Sequence, residues 1–405
     1  MRRLDREAGK MGTLIGRPLA LVLLLLCAPG VAVPQQAPAT KAAPRQARPQ
    51  YVPREHEAAF NVKPVTIAQL EEVLRENYGR RDADVARELS GMSLTERMSS
   101  ARLDAWKTSL HGRKTRQALV ALADASAFLD APRVDVLANP APGIEDQKKI
   151  LMRAVEYLNG LGTRLPNLYA ARTTTQYDDT EKLSGPYGTV VWGGQPWHVK
   201  DIFTDRVTYS SGREEVTEQK GRHPNPKKDQ DVLTVSGTFG PLLTNVFMDS
   251  VHGSLYWSHW EQGRTGPEAV FAYKVPLKES HFRIAYRNYN AKGIAVVVNA
   301  LSPYRGKIGI DAATGTILRL TVEAELAPQL PVKRSDILVE YGPVELGGKT
   351  YYCPARSVAV SVGREVPPRR APGPDPYGPE ISMMNDIVFD GYHLFRGDLR
   401  ILTQP

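Results

Sequence analysis

The stretch of sequence that decides the fold is KIGIDAATGTILRLTVEAE, residues 307–325. Apolar and polar residues alternate around a four-residue turn, 312–315, in which Gly315 can adopt the positive φ of a bulged hairpin. One face of the second strand holds Leu318, Leu320, Val322 and Ala324. Its other face is largely polar and holds Ile317, Arg319, Thr321, Glu323 and Glu325. The pattern therefore predicts an antiparallel hairpin in a sheet with one side facing water.

The same period of two extends over residues 166–405, where glycine and proline interrupt the chain about every ten residues. A second hairpin is indicated by strands at 336–346 and 349–362, because the glycine pair between them suits a two-residue turn. A short apolar helix, 241–250, interrupts the strands and begins with proline. We therefore predict a large antiparallel β domain of about ten strands, curved or half-barrel in form, with this helix inserted.

Residues 63–165 show the spacing of helices instead. Thr66 and Gln69 form a capping box at the start of an amphipathic helix that Gly79 ends. Further helices are predicted at 82–89, from a Ser93–Glu96 capping box onward, at 113–129 and at 145–159. A small irregular bundle is favoured over a repeat array, because no self-similar motif returns. The predicted fold class is α+β, with an N-terminal helical bundle followed by the β domain.

The N-terminus has the order of segments that a secretory signal requires, which predicts a signal peptide at 1–32. Five basic residues precede eight apolar residues, Leu19 to Leu26, and a small-residue end follows. An apolar run of eight is far short of the ~20 residues that span a bilayer, so an integral membrane protein is not expected. Cleavage is expected near Ala32, which places the mature protein in the periplasm or outside the cell. Lipid attachment at Cys27 is not favoured, because Leu26 is too large for that processing site.

Residues 33–62 are rich in Pro, Ala and Gln and are predicted to be a disordered linker, because they have few large apolar side chains to bury. Removal of residues 1–32 takes away five basic and two acidic side chains, which lowers the net charge from +8 to +5. That charge is too small to indicate a nucleic-acid partner. Cys353 is then the sole cysteine, so no intramolecular disulfide is expected. A half-buried strand position is favoured for it over a reactive thiol.

The hairpin at 306–319 carries the pattern Asp-x-x-Thr-Gly-x-x-x-Arg. It resembles the strand-turn-strand unit of the periplasmic lipoprotein-carrier superfamily, whose members have an open, curved β half-barrel that covers a lipid-binding groove. The resemblance implies that the β domain binds an apolar ligand or a lipidated partner. The chain as a whole is similar to large, uncharacterised families of exported bacterial proteins, and that similarity implies no particular activity.

The sequence predicts no catalytic residue, no cofactor and no metal site. The Gly-Lys-Thr at 348–350 does not end a phosphate-binding loop, because Pro343 stands where the first glycine is needed. Metal-ligand spacing is likewise lacking among His198, His252, His259 and His281. The carboxylate pairs at 178–179 and 214–215 are interpreted as solvated surface, and a glycosidase pair cannot be recognised without geometry.

A ligand groove is the one site that the sequence suggests. In LYWSHW, 255–260, alternation places Tyr256 and Trp260 on one face and Trp257 and His259 on the other, so both faces carry aromatic surface. The candidate groove residues are Trp257, Trp260, Phe247, Leu243, Tyr273 and Phe282. A filled sheet core is the alternative interpretation of these residues. Helix 241–250 is a candidate lid over the groove.

Three functions stay open at this point. The leading hypothesis is a non-catalytic envelope protein whose half-barrel holds an apolar ligand or a lipidated partner. The second is a secreted hydrolase of cell-wall or exogenous polymer, and the third is a protein-interaction scaffold. A large apolar pocket beneath 241–250 would favour the carrier, whereas convergent carboxylates or a serine linked to a histidine would favour the enzyme. The sequence does not indicate an oligomeric state.

Overall fold

The described chain combines six α-helices with a large antiparallel sheet, and five of these helices precede the strands of that sheet. The computed structural model describes residues 62–185, 188–192, 194, 196–210, 212–218, 238, 240–289, 295–364 and 380–394. All of them belong to one compact unit, Tyr51–Pro405. The predicted signal peptide and nearly all of the predicted linker lie outside the described residues. No helix in these described ranges is both long enough and apolar enough to cross a membrane.

The front part of the described chain is mainly helical. Its elements are β1 (Lys63–Val65), α1 (Ile67–Glu76), α2 (Asp82–Ser90), β2 (Met92–Leu94), α3 (Ser100–Ser109), α4 (Arg113–Ala125) and α5 (Ile144–Arg164). The predicted capping box of α1 is confirmed: the Gln69 N–H donates to the Thr66 hydroxyl at 3.2 Å, and the Thr66 N–H donates to Gln69 Oε1 at 2.8 Å. These two bonds satisfy backbone donors that the first turn of a helix leaves unpaired.

The predicted helix start at Ser93 and Glu96 is wrong. Residues 92–94 form β2, which pairs in parallel with β1, and α3 begins only after Ser99, whose hydroxyl accepts a hydrogen bond from the Arg102 N–H. Glu96 instead accepts a 2.9 Å hydrogen bond from the Ile67 N–H at the start of α1. A serine followed three residues later by a glutamate does not always form a capping box. Here residues 92–94 pair with β1 as a strand and therefore cannot belong to the helix. The predicted helix at 113–129 also ends earlier, at Ala125.

The remaining elements are mostly strands. They are β3 (Leu168–Asp178), β4 (Glu181–Gly185), β5 (Gly188–Trp192), β6 (His198–Ser210), β7 (Arg213–Glu218), α6 (Pro241–His252), β8 (Ser254–Gln262), β9 (Pro267–Val275), β10 (Arg283–Tyr289), β11 (Ala295–Leu301), β12 (Tyr304–Ile310), β13 (Ile317–Ala324), β14 (Val332–Leu346), β15 (Lys349–Arg364) and β16 (Glu380–Leu394). Ten of them form one antiparallel sheet in the order β7-β6-β3-β16-β15-β14-β13-β12-β9-β8. The strand β16 lies between β3 and β15 and so joins the two parts of the sheet.

Both predicted hairpins are confirmed. Between β12 and β13 the chain turns at Gly315, which has a φ of 75°, and Asp311 Oδ1 accepts hydrogen bonds from the N–H groups of Ala313 and Thr314. The Arg153 side chain of α5 donates to the Ala312 carbonyl at 2.8 Å, so α5 contacts this turn. The β14–β15 hairpin turns at the predicted glycine pair, with φ values of 59° and 76°. Positive φ at both central residues is the geometry of a type I′ turn.

Helices cover both faces of the large sheet. The front face is defined here by Leu338, Val358 and Met384, which pack with α1, α2 and α4 in one apolar cluster. The back face is defined by Leu320, Val339 and their neighbours, which pack with α5 and α6 in a second cluster. Strand alternation and the β13–β14 register place Arg319, Thr321 and Glu340 on the front face.

The prediction that β13 has a wet side is therefore wrong. Arg319 and Thr321 are only 5% and 4% exposed, because the helices of the front part lie over them. Their polar groups are satisfied inside the protein: Thr321 Oγ1 accepts from the Lys307 N–H at 2.9 Å, and Arg319 donates to Glu261. A polar strand face in the sequence indicates hydrogen-bonded side chains, and these can be buried when partners are present.

The predicted alternation at 255–260 is also wrong, because a β-bulge interrupts it. Trp257 pairs with Phe271 and His259 pairs with Val270, so Ser258 is the extra residue. The bulge turns Trp257 and Trp260 toward the same back-face cluster, with ring centroids 5.0 Å apart in an edge-to-face arrangement. His259 and Glu261 then share the opposite face of β8.

Cys353 lies fully buried in β15, and burial raises the pKa of its thiol to about 12. A thiol with so high a pKa is almost wholly protonated at neutral pH and is a poor nucleophile. The interpretation of Cys353 as a packed strand residue is confirmed, with deeper burial than expected.

We expect that Phe247→Ala lowers the free energy of unfolding by about 3 to 5 kcal/mol, because the ring is 1% exposed within the back-face cluster. Urea denaturation measures this change. Val251→Ala, at a position 37% exposed on the same helix, is the matched control and should change stability by about 0.5 kcal/mol or less. A loss below about 1 kcal/mol for Phe247→Ala would contradict a core role and favour a movable lid.

Candidate functional site

A cavity of about 280 Å³ lies between α3 and the front face of the sheet. Residues of α3, β8, β9 and β13 to β16 line it. The charged lining residues are Arg97, Asp104, Lys107, Glu261, Arg264, Glu268, Arg319, Glu340 and Arg356. The apolar ones include Ala101, Leu103, Leu318, Pro343, Val388 and Phe389. A concave site with an apolar part and a few convergent polar groups is the usual setting for a small ligand.

Glu261, near the end of β8, holds two buried arginines in this cavity. Arg97 comes from the segment between β2 and α3 and forms an ion pair with Glu261 Oε1. Arg319 of β13 donates to Glu261 Oε2 at 2.9 Å. Burial alone would raise the pKa of Glu261, but the two guanidinium groups outweigh it and hold the pKa well below its usual range. Glu261 is therefore held in its ionised form at neutral pH.

The pKa of Glu268 is shifted in the opposite direction, although Glu268 lies directly across from Glu261 in the β8–β9 register. Burial raises its pKa, the charge of Glu261 adds to this rise, and Arg319 opposes it. The Arg319 Nε atom lies 3.8 Å from Glu268 Oε2, beyond hydrogen-bond distance. Glu268 Oε2 is buried and has no hydrogen-bond partner among the residues that the structure describes. Two adjacent carboxyl groups thus have their pKa values pushed apart.

A second group of contacts ties α3 and α4 to the sheet beside the cavity. Arg356 of β15 forms an ion pair with Asp124 of α4, and its Nε donates to Asp386 Oδ1 at 3.0 Å. The Ser100 hydroxyl accepts from Arg356 and donates to Glu340. These bonds fix the first turn of α3 over the sheet and so set the width of the cavity.

A chain of hydrogen bonds leads from the β8 bulge to the cavity. Ser258 Oγ lies 2.8 Å from His259 Nδ1, and His259 Nε2 lies 3.2 Å from Glu261 Oε2. Sequence reasoning missed this Ser-His-x-Glu arrangement, because strand alternation groups His259 with Glu261 but places Ser258 on the opposite face. The connectivity is that of a nucleophile, a base and an orienting carboxylate. Both carboxylate oxygens are shared with arginines, however, which weakens their support for a protonated imidazole.

The six predicted groove residues lie together, but in another place. Leu243, Phe247 and Tyr273 are fully buried in the back-face cluster, and Trp257, Trp260 and Phe282 pack against it. Two of the six, Trp257 and Trp260, are in edge-to-face contact, and Trp257 also contacts Phe271 of the same cluster at 5.4 Å. The lining of the described cavity contains none of the six. The groove role of these residues stays a prediction.

The histidines of the sequence analysis are distributed over separate contacts. His198 pairs with Asp178 at 2.6 Å, and His281 pairs with Asp249 at 2.6 Å. Within the ranges described above, no group of three or more His, Cys, Asp or Glu side chains is placed to hold a metal ion. The interpretation of residues 178–179 as solvated surface is wrong. Both are buried, and Asp179 accepts hydrogen bonds from the N–H groups of Ser382 and Gly194.

We expect opposite stability changes from two chemically identical substitutions in the cavity. Glu261→Gln leaves Arg97 and Arg319 without a counter-charge and should lower the free energy of unfolding by about 3 to 5 kcal/mol at pH 7. Glu268→Gln removes a carboxyl whose ionisation burial opposes, so at pH 7 its stability should equal or exceed that of the wild type. Urea denaturation across pH measures both.

The pH dependence of the two variants has a definite sign. The folded pKa of Glu261 is lowered, so its contribution is present above the usual glutamate pKa and is lost as the pH falls through the folded value. The folded pKa of Glu268 is raised, so wild-type stability falls as the pH rises through that value, and the Glu268→Gln variant should not show this fall. Equal losses in both variants at pH 7 would contradict the division of roles between the two carboxyl groups.

No protein-family model matches the chain, and no curated protein matches it. Among solved structures, the chain is similar to a DUF1329 family protein from Desulfovibrio piger ATCC 29098, with 8% sequence identity and a TM-score of 0.25. The match covers 62% of this chain and 93% of that one. A likeness this weak carries no conclusion about fold or activity.

Proposed function

We propose that the protein is an exported, non-catalytic binding protein of the cell envelope whose ligand is amphiphilic, either a free apolar molecule with a polar head or a lipidated partner. The observation that supports this proposal is the mixed lining of the cavity beneath α3, where apolar side chains such as Leu318 and Phe389 meet a ring of charged ones. The apolar side chains suit an acyl chain, and the charged side chains suit a polar head group. The proposed site is thus this cavity, and not the packed cluster beneath α6.

The state of the charged residues favours binding over chemistry. Arg97, Arg319 and Arg356 are each engaged by at least one carboxylate, and Glu261 is engaged by two arginines. Groups held in this way are rigid and preorganised, which lowers the entropy lost when a ligand binds. The paired charges outweigh burial, so the pKa values of Arg319 and Arg356 are raised and that of Glu261 is lowered, away from those of an acid or base that exchanges protons at neutral pH.

Three architectural features belong to the proposal. The helices α1 to α4 act as a bundle that closes the front face, the sheet curves as an open half-barrel, and a signal peptide at 1–32 directs export. The order of strands supports the second feature, because β7 and β8 stand at opposite ends of the sheet and do not pair with each other in the described chain.

Ala101→Trp is expected to abolish binding of an amphiphilic fluorescent probe, because Ala101 is exposed on α3 and lines the cavity, so the indole can fill it. Titration with a fluorescent fatty acid measures the affinity. Ala105→Trp is the matched control, since Ala105 is exposed on the same helix and is not a lining residue. Equal probe binding by both variants and the wild type would rule out this cavity as the site.

A secreted hydrolase is the second candidate function, and the hydrogen-bond chain Ser258–His259–Glu261 favours it. Under the binding proposal, a fluorophosphonate probe should leave the intact mass of the protein unchanged. Ser258→Ala and Ser254→Ala provide the comparison, because both serines lie in β8 and only Ser258 contacts His259. A single adduct that disappears in Ser258→Ala and persists in Ser254→Ala would contradict the binding proposal in favour of the hydrolase.

A further inference from the structure

We propose that Glu268 selects the head group of the ligand, and that this head group is uncharged and bears hydroxyl groups, as in a glycoside or a polyol ester. The inference rests on the proposed function, because it names the chemistry of the ligand that the cavity beneath α3 binds. The inference depends on the position of the Glu268 carboxyl group, on the space that two glycines leave for this group and on the charges around it.

The carboxyl of Glu268 is built into the cavity and is not fully satisfied, because Arg319 Nε lies 3.8 Å from Oε2, too far for a hydrogen bond. Glu268 lines the cavity, is 7% exposed, and has a buried Oε2 atom with no hydrogen-bond partner in the described part of the chain. A buried acceptor without a partner costs about 1 to 3 kcal/mol, which a ligand donor can recover. An incoming hydroxyl group that reaches Oε2 therefore gains more than it would at a satisfied oxygen.

Two glycines make room for this carboxyl. A Cβ atom at Gly309 of β12 would lie 2.6 Å from Glu268 Oε2, and a Cβ atom at Gly263 would overlap Oε1. Any side chain at either position would push the carboxyl out of its place. Glycine within or beside a strand often marks a position where another group approaches the backbone closely. The carboxyl thus lies in a space that depends on the absence of a side chain at both glycines.

The surrounding charges decide which head group fits. Arg97 and Arg319 face Glu268 from the α3 side and from β13, and Glu261 and Glu340 face it from β8 and β14. These two positive and two negative charges cancel, and both arginines are already paired with Glu261, so a charged head group would lose its hydration here without a free counter-charge. An uncharged hydroxyl group does not meet this penalty.

The protonation state of Glu268 agrees with this selection. Burial raises the pKa of Glu268, which favours the neutral carboxyl group. A neutral carboxyl group has one donor and acceptor capacity, so it can exchange two hydrogen bonds with a single hydroxyl-bearing head group. The amide introduced by Glu268→Gln would offer both a donor and an acceptor in nearly the same shape.

Calorimetric titration of the full chain with three ligands of equal chain length tests the inference: octyl glucoside, octanoate and octylammonium, each below its micellar concentration. The wild type should bind the glucoside at least about tenfold more tightly than either ion. Glu268→Ala should weaken glucoside binding about tenfold, and Glu268→Gln should change it less than about threefold. Glu145→Ala, at a surface position 77% exposed, is the control and should leave binding unchanged.

The outcomes separate the two proposals. If the wild type binds none of the three amphiphiles, the proposed function itself is wrong. If it binds all three equally, or if folded Glu268→Ala binds the glucoside as the wild type does, the role of Glu268 is overturned and the proposed function stands. The comparison of head groups on the wild type needs no variant, so it decides the question even where Glu268→Ala does not fold.

Discussion

The arrangement of helices over the sheet depends on one carboxylate, that of Glu261. Arg97 and Arg319 are buried guanidinium groups, and each would be strongly destabilising without a counter-charge. Glu261 supplies that charge to both and thereby connects the segment before α3 with β8 and β13. Backbone hydrogen bonds support the same strand, since the Leu137 N–H donates to the Trp260 carbonyl and the Gln262 N–H donates to the Asp135 carbonyl. The cavity exists because this contact holds α3 at a fixed distance from the sheet.

Local pattern was enough to predict the hairpins, most of the strands and the inserted helix. Each of these elements is specified by residues close in sequence, such as Gly315 in the β12–β13 turn and the proline that begins α6. The predicted wet face of β13 failed for a different reason: Arg319 is polar, but its partner Glu261 is 58 residues away in the chain. Periodicity reports which residues share a face, and it does not report what covers that face.

The residues of the candidate site were even harder to predict from local sequence pattern. Glu261, Glu268 and Arg97 belong to no motif, and nothing local distinguishes them from solvated surface residues. The bulge at Ser258 shifts the alternation of β8 by one residue, and this shift places Trp257 on the same face as Trp260 and separates it from His259 and Glu261. Aromatic residues drew attention to 255–260, and the polar residues between them proved to lead to the cavity. A Ser-His-x-Glu spacing in a strand next to an aromatic pair is the signal that could have found this chain of contacts.

The central position of β16 has a consequence for the order of events in folding. This strand joins β3 and β15, yet of the described strands it is the last to emerge during synthesis. Before it arrives, β7-β6-β3 and β15 to β8 have no strand to connect them, and β3 and β15 each present an unpaired edge. Contacts between residues some two hundred positions apart form slowly, because a long loop must close first. The chain therefore stays incomplete until its final described strand is inserted, and until then the open edges of β3 and β15 are available for pairing with other chains.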